Sequence, residues 1–256
     1  MLTQADKVRN LFDSEALEYV RDREQQYSFL SQKKIVLEML EGSGGRALDI
    51  GCGPAMMEAA LLERGFETWG IDASAQMIEY GKARIAGHPQ AGRCHLAVGD
   101  AERLPCADGF YDAILSMGVL EYLPSYEPAL REMHRALRSG GVVVLTLPNR
   151  VSAYHSMRRG YHKALALARR AVRGRSSGSD AGAVAVNQCI PWRLDRELAQ
   201  AGFRKLDSRV CNFIFFPLHD RLPRASAALN RALWPLARTP LGPFLGAQYV
   251  VKAQKR

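Results

Sequence analysis

Short apolar runs alternate with longer helical patterns over the first 150 residues of the chain. Five runs have the length and side chains of buried strands: residues 46–50, 67–71, 94–98, 111–117 and 142–147. Residues 74–85 and 128–137 have the apolar spacing of helices, and a further helical pattern begins at Pro54. We expect Ser139-Gly140-Gly141 to end the helix that precedes the fifth strand. Strands separated by helices predict right-handed βαβ units and a parallel sheet.

The second half of the chain adds two strand candidates, residues 204–216 and 248–253. Residues 192–201 have a helical pattern before the first of them, and Gly202 is placed to end that helix. The predicted sheet therefore has seven strands. Ligands of open α/β sheets bind beyond the carboxyl ends of the strands, so the residues that follow each strand are the candidates for chemistry.

The composition is that of an ordinary globular protein. Hydrophobic residues make up 47% and charged residues 24% of the 256 positions, enough for a core without disulfides or metals. The N-terminus lacks the basic and apolar regions of a secretory signal, and no apolar run reaches the roughly 18 residues that span a bilayer. The five cysteines are scattered, with no CxxC pair, so we expect reduced thiols, no metal and a cytoplasmic protein.

The charge is divided unevenly along the chain. Residues 1–149 carry 15 basic and 21 acidic residues, whereas residues 150–256 carry 20 basic and 5 acidic ones. The second half thus has a net charge of +15 against −6 for the first. Such asymmetry indicates a membrane surface, a nucleic acid or an anionic substrate as the partner. A solvated, arginine-rich face is the alternative.

The ends of the first three strands carry the strongest signals. Asp49-Ile50-Gly51-Cys52-Gly53 places two glycines in a strand-to-helix turn, where a ligand can approach the backbone. The dinucleotide fingerprint of dehydrogenases would need a third glycine at Met56, which disfavours a nicotinamide enzyme. A carboxylate at Asp72 can accept both hydroxyls of a ribose, and Asp100 can accept a hydrogen bond from an adenine amino group.

Five motifs in order resemble class I S-adenosylmethionine (SAM) methyltransferases. They are ALDIGCGPA, GIDASAQM, GDAERLPCADGFYDAILS, VLEYL and LREMHRALRSGGVVVLTLPN. The small-molecule group of ubiquinone/menaquinone C-methyltransferases is the most similar, and residues 12–19 resemble its N-terminal lid. The resemblance implies an α/β, Rossmann-like fold, with a seven-stranded, mostly parallel sheet and helices on both faces. It also implies SAM as cofactor and S-adenosylhomocysteine (SAH) as product.

The resemblance also implies the cofactor-binding residues. The loop around the methionine part of SAM would be Asp49, Gly51, Cys52 and Gly53. The ribose, the adenine and the sulfonium would lie against Asp72, Ala73, Met77, Asp100, Ala101, Met117 and Gly118. One position departs from the family pattern, because Ala55 stands where a third glycine is usual.

The chain divides into four parts on this basis. Residues 1–45 are lid helices, 46–149 the SAM-binding core, 150–188 a basic helical insertion, and 189–256 the rest of the fold with an insertion at about 217–245. The second insertion should contain a short apolar helix around Leu229 and Leu233 and a proline-braced loop. Together the insertions are expected to roof a pocket for an apolar acceptor, such as a lipid, an isoprenoid quinone or a polyketide.

The first insertion contains an amphipathic pattern over residues 154–173. One side of the helical wheel is apolar: Tyr154, Met157, Tyr161, Leu165, Ala168 and Val172. The other side is basic: Arg158, Arg159, Lys163, Arg169, Arg170 and Arg173. Such a helix either lies peripherally on an anionic membrane or forms a lid with its apolar face on the domain. Residues 176–182, behind it, are small and polar and are typical of a loop.

Methyl transfer needs little acid–base chemistry, because the sulfonium is already activated. Glu121, Tyr122 and His155 are weak candidates for a base by location, whereas His134 lies on an apolar helix face and is interpreted as structural. The predicted activity is transfer of methyl from SAM to a small, apolar, lipid-like or natural-product acceptor. The alternatives are an RNA or protein methyltransferase and a non-catalytic SAM-fold partner protein. Nucleic acid is disfavoured because aromatic residues do not interleave with the basic ones.

Overall fold

Seven strands form one sheet in which a single strand runs antiparallel to the others. The computed structural model describes residues 3–23, 26–173, 184, 186–214 and 222–256, without the side chains at 15, 17–23, 168–173 and 223. The strands are β1 (Arg46–Ile50), β2 (Glu67–Asp72), β3 (Cys94–Val98), β4 (Tyr111–Met117), β5 (Leu137–Pro148), β6 (Phe203–Cys211) and β7 (Gln248–Lys255). Their order is β3-β2-β1-β4-β5-β7-β6, and β7 runs antiparallel to both of its neighbours. The predicted seven-stranded, mostly parallel sheet is confirmed.

Helices cover both faces of the sheet. They are α1 (Gln4–Arg23), α2 (Tyr27–Met39), α3 (Glu58–Glu63), α4 (Ala75–Ile85), α5 (Glu127–Ala136), α6 (Ala153–Arg173), α7 (Pro191–Gln200), α8 (Pro223–Leu233) and α9 (Gly242–Leu245). Successive strand residues alternate between the two faces: Ile114 joins the cluster that contains α5 and α7, while Ala113 and Leu115 join the cluster that contains α2 and α3. The central strands are therefore buried on both sides, as parallel strands require.

Strand β5 begins five residues earlier than its apolar run indicated. The chain leaves the helical conformation at Leu137, which is extended and pairs with Tyr111. Helix α5 therefore ends at Ala136 without the help of the glycines. Gly140, at φ +75°, lies inside the strand, next to an irregularity in the β4–β5 register. The prediction that Ser139-Gly140-Gly141 ends the helix was wrong.

Two other boundaries also differ from the predicted ones. The helix expected from Pro54 begins only at Glu58, because Ala55 has φ +57° and cannot belong to a right-handed helix. Strand β6 was expected to reach residue 216 but ends at Cys211, since Asn212 has φ +59° and turns the chain. The helix predicted around Leu229 and Leu233 is α8. The polar run 176–182 lies outside the described residues.

Candidate cofactor site

A cavity of about 530 Å³ lies at the carboxyl ends of β1, β2 and β4. This volume is within the range of small-molecule sites. Nine of the eleven predicted cofactor residues line it: Gly51, Gly53, Asp72, Ala73, Met77, Asp100, Ala101, Met117 and Gly118. These residues come from four separate segments of the chain. The parallel strand order brings the segments together, because adjacent strands end at the same edge.

The carboxylate of Asp72 is fixed at the end of β2. Its Oδ2 accepts a hydrogen bond from the Gly53 N–H at 2.9 Å, and its Oδ1 accepts one from the Ser74 N–H, also at 2.9 Å. Each carboxylate oxygen has a second lone pair, so two hydroxyl donors can still be accepted. Asp72 therefore has the geometry to hold the glycine turn and to receive the hydroxyls of a ribose.

Burial raises the pKa of Asp72 above 3.8, and the nearby carboxylate of Asp13 raises it further. A protonated Asp72 loses acceptor capacity, so we expect SAH affinity to fall during acidification while the pH is still above 3.8. Calorimetry at decreasing pH checks this. Asp13→Asn keeps the amide oxygen as an acceptor for Ser74 but removes the charge, so its loss of affinity should begin at lower pH. Identical profiles for the two proteins would contradict this coupling.

The glycine turn adopts left-handed conformations that explain its composition. Gly51 has φ +73°, and a Cβ there would lie 2.0 Å from Cγ2 of Val119, which also lines the cavity. The Gly51 and Cys52 N–H groups both donate to the carbonyl of Ile71, at 2.7 and 3.0 Å, which ties the turn to β2. Only glycine fits at position 51 without displacing the wall of the site.

Ala55 occupies the position where the family has its third glycine, and it keeps a left-handed backbone at φ +57°. Its methyl group has room because the facing residue of α4 is Gly81. A Cβ at Gly81 would lie 3.2 Å from the Ala55 Cβ. The turn therefore accepts alanine at position 55 because the neighbouring helix has glycine at position 81.

Two of the predicted cofactor residues, Asp49 and Cys52, do not line the cavity. Both side chains are buried beneath the turn. The Cys52 Sγ–H donates to the Gly53 carbonyl at 3.6 Å, and a Cβ on Gly70 would lie 2.9 Å from this sulfur. The sulfur thus lies against β2, behind the turn. Asp49 lies close enough to a second buried acid, Glu58, for the charge of Glu58 to raise the pKa of Asp49.

Asp49 and Glu58 form a buried acidic pair under the glycine turn. Burial raises the pKa of Asp49 well above its usual range, and the charges of Glu58 and Asp72 add to this effect. Burial raises the pKa of Glu58 from 4.5 to about 7. The Glu58 Oε2 accepts a hydrogen bond from the Met57 N–H at 3.1 Å. Burial thus favours the protonated form of both carboxyl groups more than in the free side chains.

The pKa of Glu58 is higher in the folded protein than in the unfolded chain. Its contribution to stability is therefore complete below pH 4.5 and is lost as the pH rises through about 7. Because glutamine does not ionise, we expect Glu58→Gln to lose less stability than the wild type above neutral pH, by about 1–3 kcal/mol in the free energy of unfolding. Denaturant unfolding on both sides of neutrality measures it. Glu63→Gln, an exposed change in the same helix, is the control and should keep the wild-type dependence.

The predicted adenine end of the cavity is more open. Asp100 is exposed at the cavity rim, and its Oδ1 accepts the Glu102 N–H at 2.9 Å. Met77 and Ala101 are buried beside it. The turn after β3 thus holds one oxygen of Asp100 in place. Its position fits the predicted contact with an adenine edge, which stays a prediction.

Helix α1 supplies a wall of the cavity that the strand-end motifs did not reveal. It contributes Gln4, Ala5, Val8, Arg9 and Phe12, with Thr3 just before it. The Phe12 ring packs edge-on against Tyr122, with ring centroids 5.4 Å apart. The Ser74 hydroxyl donates to the Asp13 carboxylate. The only sequence signal for this wall was the resemblance of residues 12–19 to a lid. Most of the residues of α1 that line the cavity precede that segment.

Only one of the three candidate bases lines the cavity. Tyr122 does so, whereas Glu121 and His155 do not. The Glu121 side chain is buried, and its carbonyl accepts the Asn187 N–H at 2.6 Å. Burial lowers the pKa of His155 to about 4, and its Nδ1 lies 3.0 Å from Nε2 of Gln188. His155 is therefore uncharged at neutral pH and lies among residues of the first insertion.

His134 also lies away from the cavity. Its ring packs edge-on against Phe203 at 5.3 Å, and a Cβ on Gly202 would lie 2.7 Å from its Nε2. Burial and the charge of Lys255 lower its pKa. These contacts fit the predicted structural role.

The described parts of the two insertions do not roof this cavity. The end of the first one instead packs on the turn after β4, where the Asn187 side chain donates to the Leu123 carbonyl at 2.6 Å. Asn187 and Arg150 line a second, open cavity of about 790 Å³ that shares only Pro124 with the first. Among the described residues, α1 forms the wall over the cofactor cavity, and the roof that the insertions were expected to form over an acceptor pocket stays a prediction.

All five cysteines are free thiols. Within the described ranges, no helix has the length and hydropathy needed to cross a bilayer. The same residues contain no group of three or more histidine, cysteine, aspartate or glutamate side chains arranged to hold a metal ion.

Known sequences match the part of the chain that builds the cavity. Residues 48–145 match a family model described as a methyltransferase domain. The demethylmenaquinone methyltransferase of Lysinibacillus sphaericus is 34% identical over 125 residues, which are 47% of this chain and 52% of that protein. The chain spans about half the length of the curated relatives it matches. The resemblance found in the motifs is confirmed for this region.

Solved structures match nearly the whole chain. Magnesium protoporphyrin IX methyltransferase from Synechocystis PCC 6803, with bound SAH, has a TM-score of 0.67 at 14% identity and covers 99% of this chain and 100% of its own. The cyclase SpnF has a TM-score of 0.65 at 18% identity and covers 99% and 97%. At such identities the likeness shows the fold alone, and the reaction has to be argued from the site.

Proposed function

We propose that the protein transfers the methyl group of SAM to a small, apolar acceptor, because residues 48–145 match a methyltransferase domain. The observation that carries the proposal is the cavity at the carboxyl ends of β1, β2 and β4. In it, Gly51, Asp72 and Met117 come together from three strands. The names of the matched relatives indicate quinones as one acceptor class.

The residues present fit SAM. The carboxylate of Asp72 is held by two N–H groups with lone pairs left for ribose hydroxyls. The turn at Gly51 and Gly53 leaves backbone exposed to the cavity, which suits the methionine part. When bound, SAM supplies a sulfonium-activated methyl group. Met117 and Gly118, which line the wall between the turn and Tyr122, would lie beside it.

The chain's own contribution to the reaction is orientation and exclusion of water. Apolar side chains from α1 and from the turn after β4 form one wall of the cavity: Val8, Phe12, Val119, Leu123 and Pro124. An apolar acceptor is stabilised against such a wall by removal of its surface from water. Fixing the acceptor in line with the methyl group lowers the activation barrier, because the orientational entropy is lost on binding and not in the transfer step.

We further propose that Tyr122 orients the acceptor, since it is the one candidate that reaches the cavity and its ring is fixed against Phe12. Tyr122→Phe should keep SAH affinity within about twofold and lower kcat by up to roughly tenfold, which corresponds to one hydrogen bond of about 1.5 kcal/mol to the acceptor. Steady-state kinetics beside SAH calorimetry checks this. Equal losses in affinity and turnover would place Tyr122 in cofactor binding instead.

The proposed function is tested with SAM carrying a labelled methyl group. The purified protein is incubated with a demethylated isoprenoid quinol, with RNA and with a protein extract, and label in each fraction is measured. We expect label in the quinol fraction, and at low SAM concentration much less of it with Asp72→Ala. Label in RNA or protein would change the acceptor class, whereas SAH binding without transfer to any acceptor would support the non-catalytic alternative.

A further inference from the structure

Helix α6 turns an apolar face to solvent. Met157, Tyr161 and Leu167 are 48%, 51% and 58% exposed. At about 100° per residue they lie within one half of the helix, on the side that also carries the small residues Gly160 and Ala164. Over residues 157–167 this face is therefore not packed against the described residues of the domain. Exposed apolar residues grouped on one helix face indicate a contact surface.

The base of α6 is held in place by polar contacts. The Ser152 hydroxyl accepts the His155 N–H at 3.3 Å and caps the first turn. Buried Asn149, at the end of β5, donates through its Nδ2 to the carbonyls of Pro243 and Gly246, at 2.6 and 2.8 Å. Arg159 donates to the Arg150 carbonyl at 2.8 Å. The exposed face therefore has a defined direction relative to the sheet.

Helix α9 contacts α6 and also carries an exposed apolar residue. Phe244, in α9, and Leu241, just before it, are 54% and 63% exposed. Both belong to the second insertion, whereas α6 belongs to the first. The two insertions thus meet at one surface, although they are far apart in sequence.

The surroundings of this surface are uniformly basic. Helix α6 contains six arginine or lysine residues and no acidic residue. Residues 222–247, which include α8 and α9, contain three basic residues and no acidic residue. On the wheel of α6, Arg158 and Lys163 flank the apolar face on its two sides, and both are exposed. An apolar stripe between basic flanks is the pattern of helices that lie in a membrane interface.

We propose that α6 and α9 form a docking surface for an anionic lipid bilayer. The exposed apolar side chains would enter the acyl boundary, while Arg158 and Lys163 extend to the lipid phosphates. A second copy of the chain fits less well. A two-fold interface would bring the same basic surfaces together, with no acidic residue on α6 or α9 to compensate them.

The base of α6 follows the edge of the sheet that carries the cofactor cavity. Met117, which lines the cavity, pairs with Thr146 of β5, and the chain leaves β5 only two residues later, at Pro148, to form α6. Docking there would bring the cavity close to the lipid, from which an apolar acceptor could enter. That link to the acceptor rests on the proposed function; the docking surface itself does not.

The test measures cosedimentation with vesicles. The full chain is mixed with vesicles of phosphatidylglycerol and phosphatidylcholine in equal parts, or of phosphatidylcholine alone. We expect binding to the first and not to the second, with loss at high salt. Because each basic residue near an anionic surface contributes about fivefold in partitioning, Arg158→Glu/Lys163→Glu should lower it by at least about 20-fold. Met157→Ser/Leu167→Ser should weaken binding without changing its salt dependence.

The control is Arg196→Glu/Arg204→Glu, which changes the net charge equally at exposed positions outside α6 and α9. It should keep most of the binding, and all variants should keep wild-type SAH affinity, which shows that they fold. Absence of binding to anionic vesicles at low salt would overturn the proposal, as would equal losses in the control. A concentration-dependent dimer that the α6 variants dissociate would assign the surface to a second copy instead. Vesicle binding is independent of methyl transfer, so this proposal and the proposed function can fail separately.

Discussion

Replacing Asp72 with alanine is expected to lower the affinity for SAM and SAH by at least about tenfold. A charge-assisted hydrogen bond contributes about 1.5–3 kcal/mol, and the ribose hydroxyls would lose their carboxylate acceptor. The structure adds a second reason, because the same carboxylate accepts the N–H groups of Gly53 and Ser74 and so shapes the turn. Calorimetry with SAH measures the loss.

Two variants separate these effects. Asp72→Asn retains one acceptor oxygen and the size of the side chain, so its loss should be smaller than that of Asp72→Ala. Asp108→Ala removes an exposed carboxylate that pairs with Arg135, away from the cavity, and should leave the affinity unchanged. A folded Asp72→Ala protein with wild-type affinity would remove Asp72 from the site.

Gly51→Val is expected to abolish cofactor binding while the sheet still forms. A residue with a Cβ costs about 1–2 kcal/mol in the left-handed conformation that Gly51 adopts. The added Cβ would also lie 2.0 Å from Val119, so the turn or the neighbouring wall must move. SAH binding should fall below detection by calorimetry, with the far-ultraviolet circular dichroism unchanged.

A glycine of ordinary conformation supplies the control for this prediction. Gly87→Val adds the same side chain where a Cβ would meet nothing within 4 Å, and it should bind SAH normally. The double variant Gly51→Ala/Val119→Ala removes the closest contact but keeps the backbone strain, and it should recover part of the affinity. Normal turnover by Gly51→Val would show that the methionine pocket is misplaced.

The sequence predicted the central strands well because they are buried on both faces. The run 111–117 is apolar at five of its seven positions, and its boundaries match the structure. The boundaries that moved depend on single backbone conformations. Ala55 and Asn212 adopt positive φ, which residues with side chains adopt rarely, so the apolar pattern could not reveal these turns.

The cofactor site was predictable as far as it consists of strand ends. The topology brings Asp72, Asp100 and Met117 to one cavity because parallel strands end at the same edge. Burial decided the exceptions. Asp49, at the end of β1, and Cys52, in the turn, are close in sequence to Gly51 and Gly53, yet both side chains are buried beneath the turn, and the motif alone did not show which of its side chains reach the cavity.

The wall formed by α1 and the exposure of α6 were outside the reach of sequence patterns. Helix α1 reaches the cavity through a tertiary contact with α4, marked by the Ser74–Asp13 hydrogen bond. An amphipathic wheel gives the direction of an apolar face but not what covers it, so the sequence allowed both a lid and a membrane helix. Solvent exposure of Met157, Tyr161 and Leu167 favours the second.

Titration calorimetry with SAH tests the central claim most directly, because the claim is that the cavity at the carboxyl ends of β1, β2 and β4 is a SAM site. The account predicts one SAH site per chain, competition by SAM, no binding of NAD, and weakened binding in Asp72→Ala. A folded wild-type protein that releases no heat with SAH would contradict it. Equal SAH affinity of the wild-type, Asp72→Ala and Gly51→Val proteins would contradict it as well.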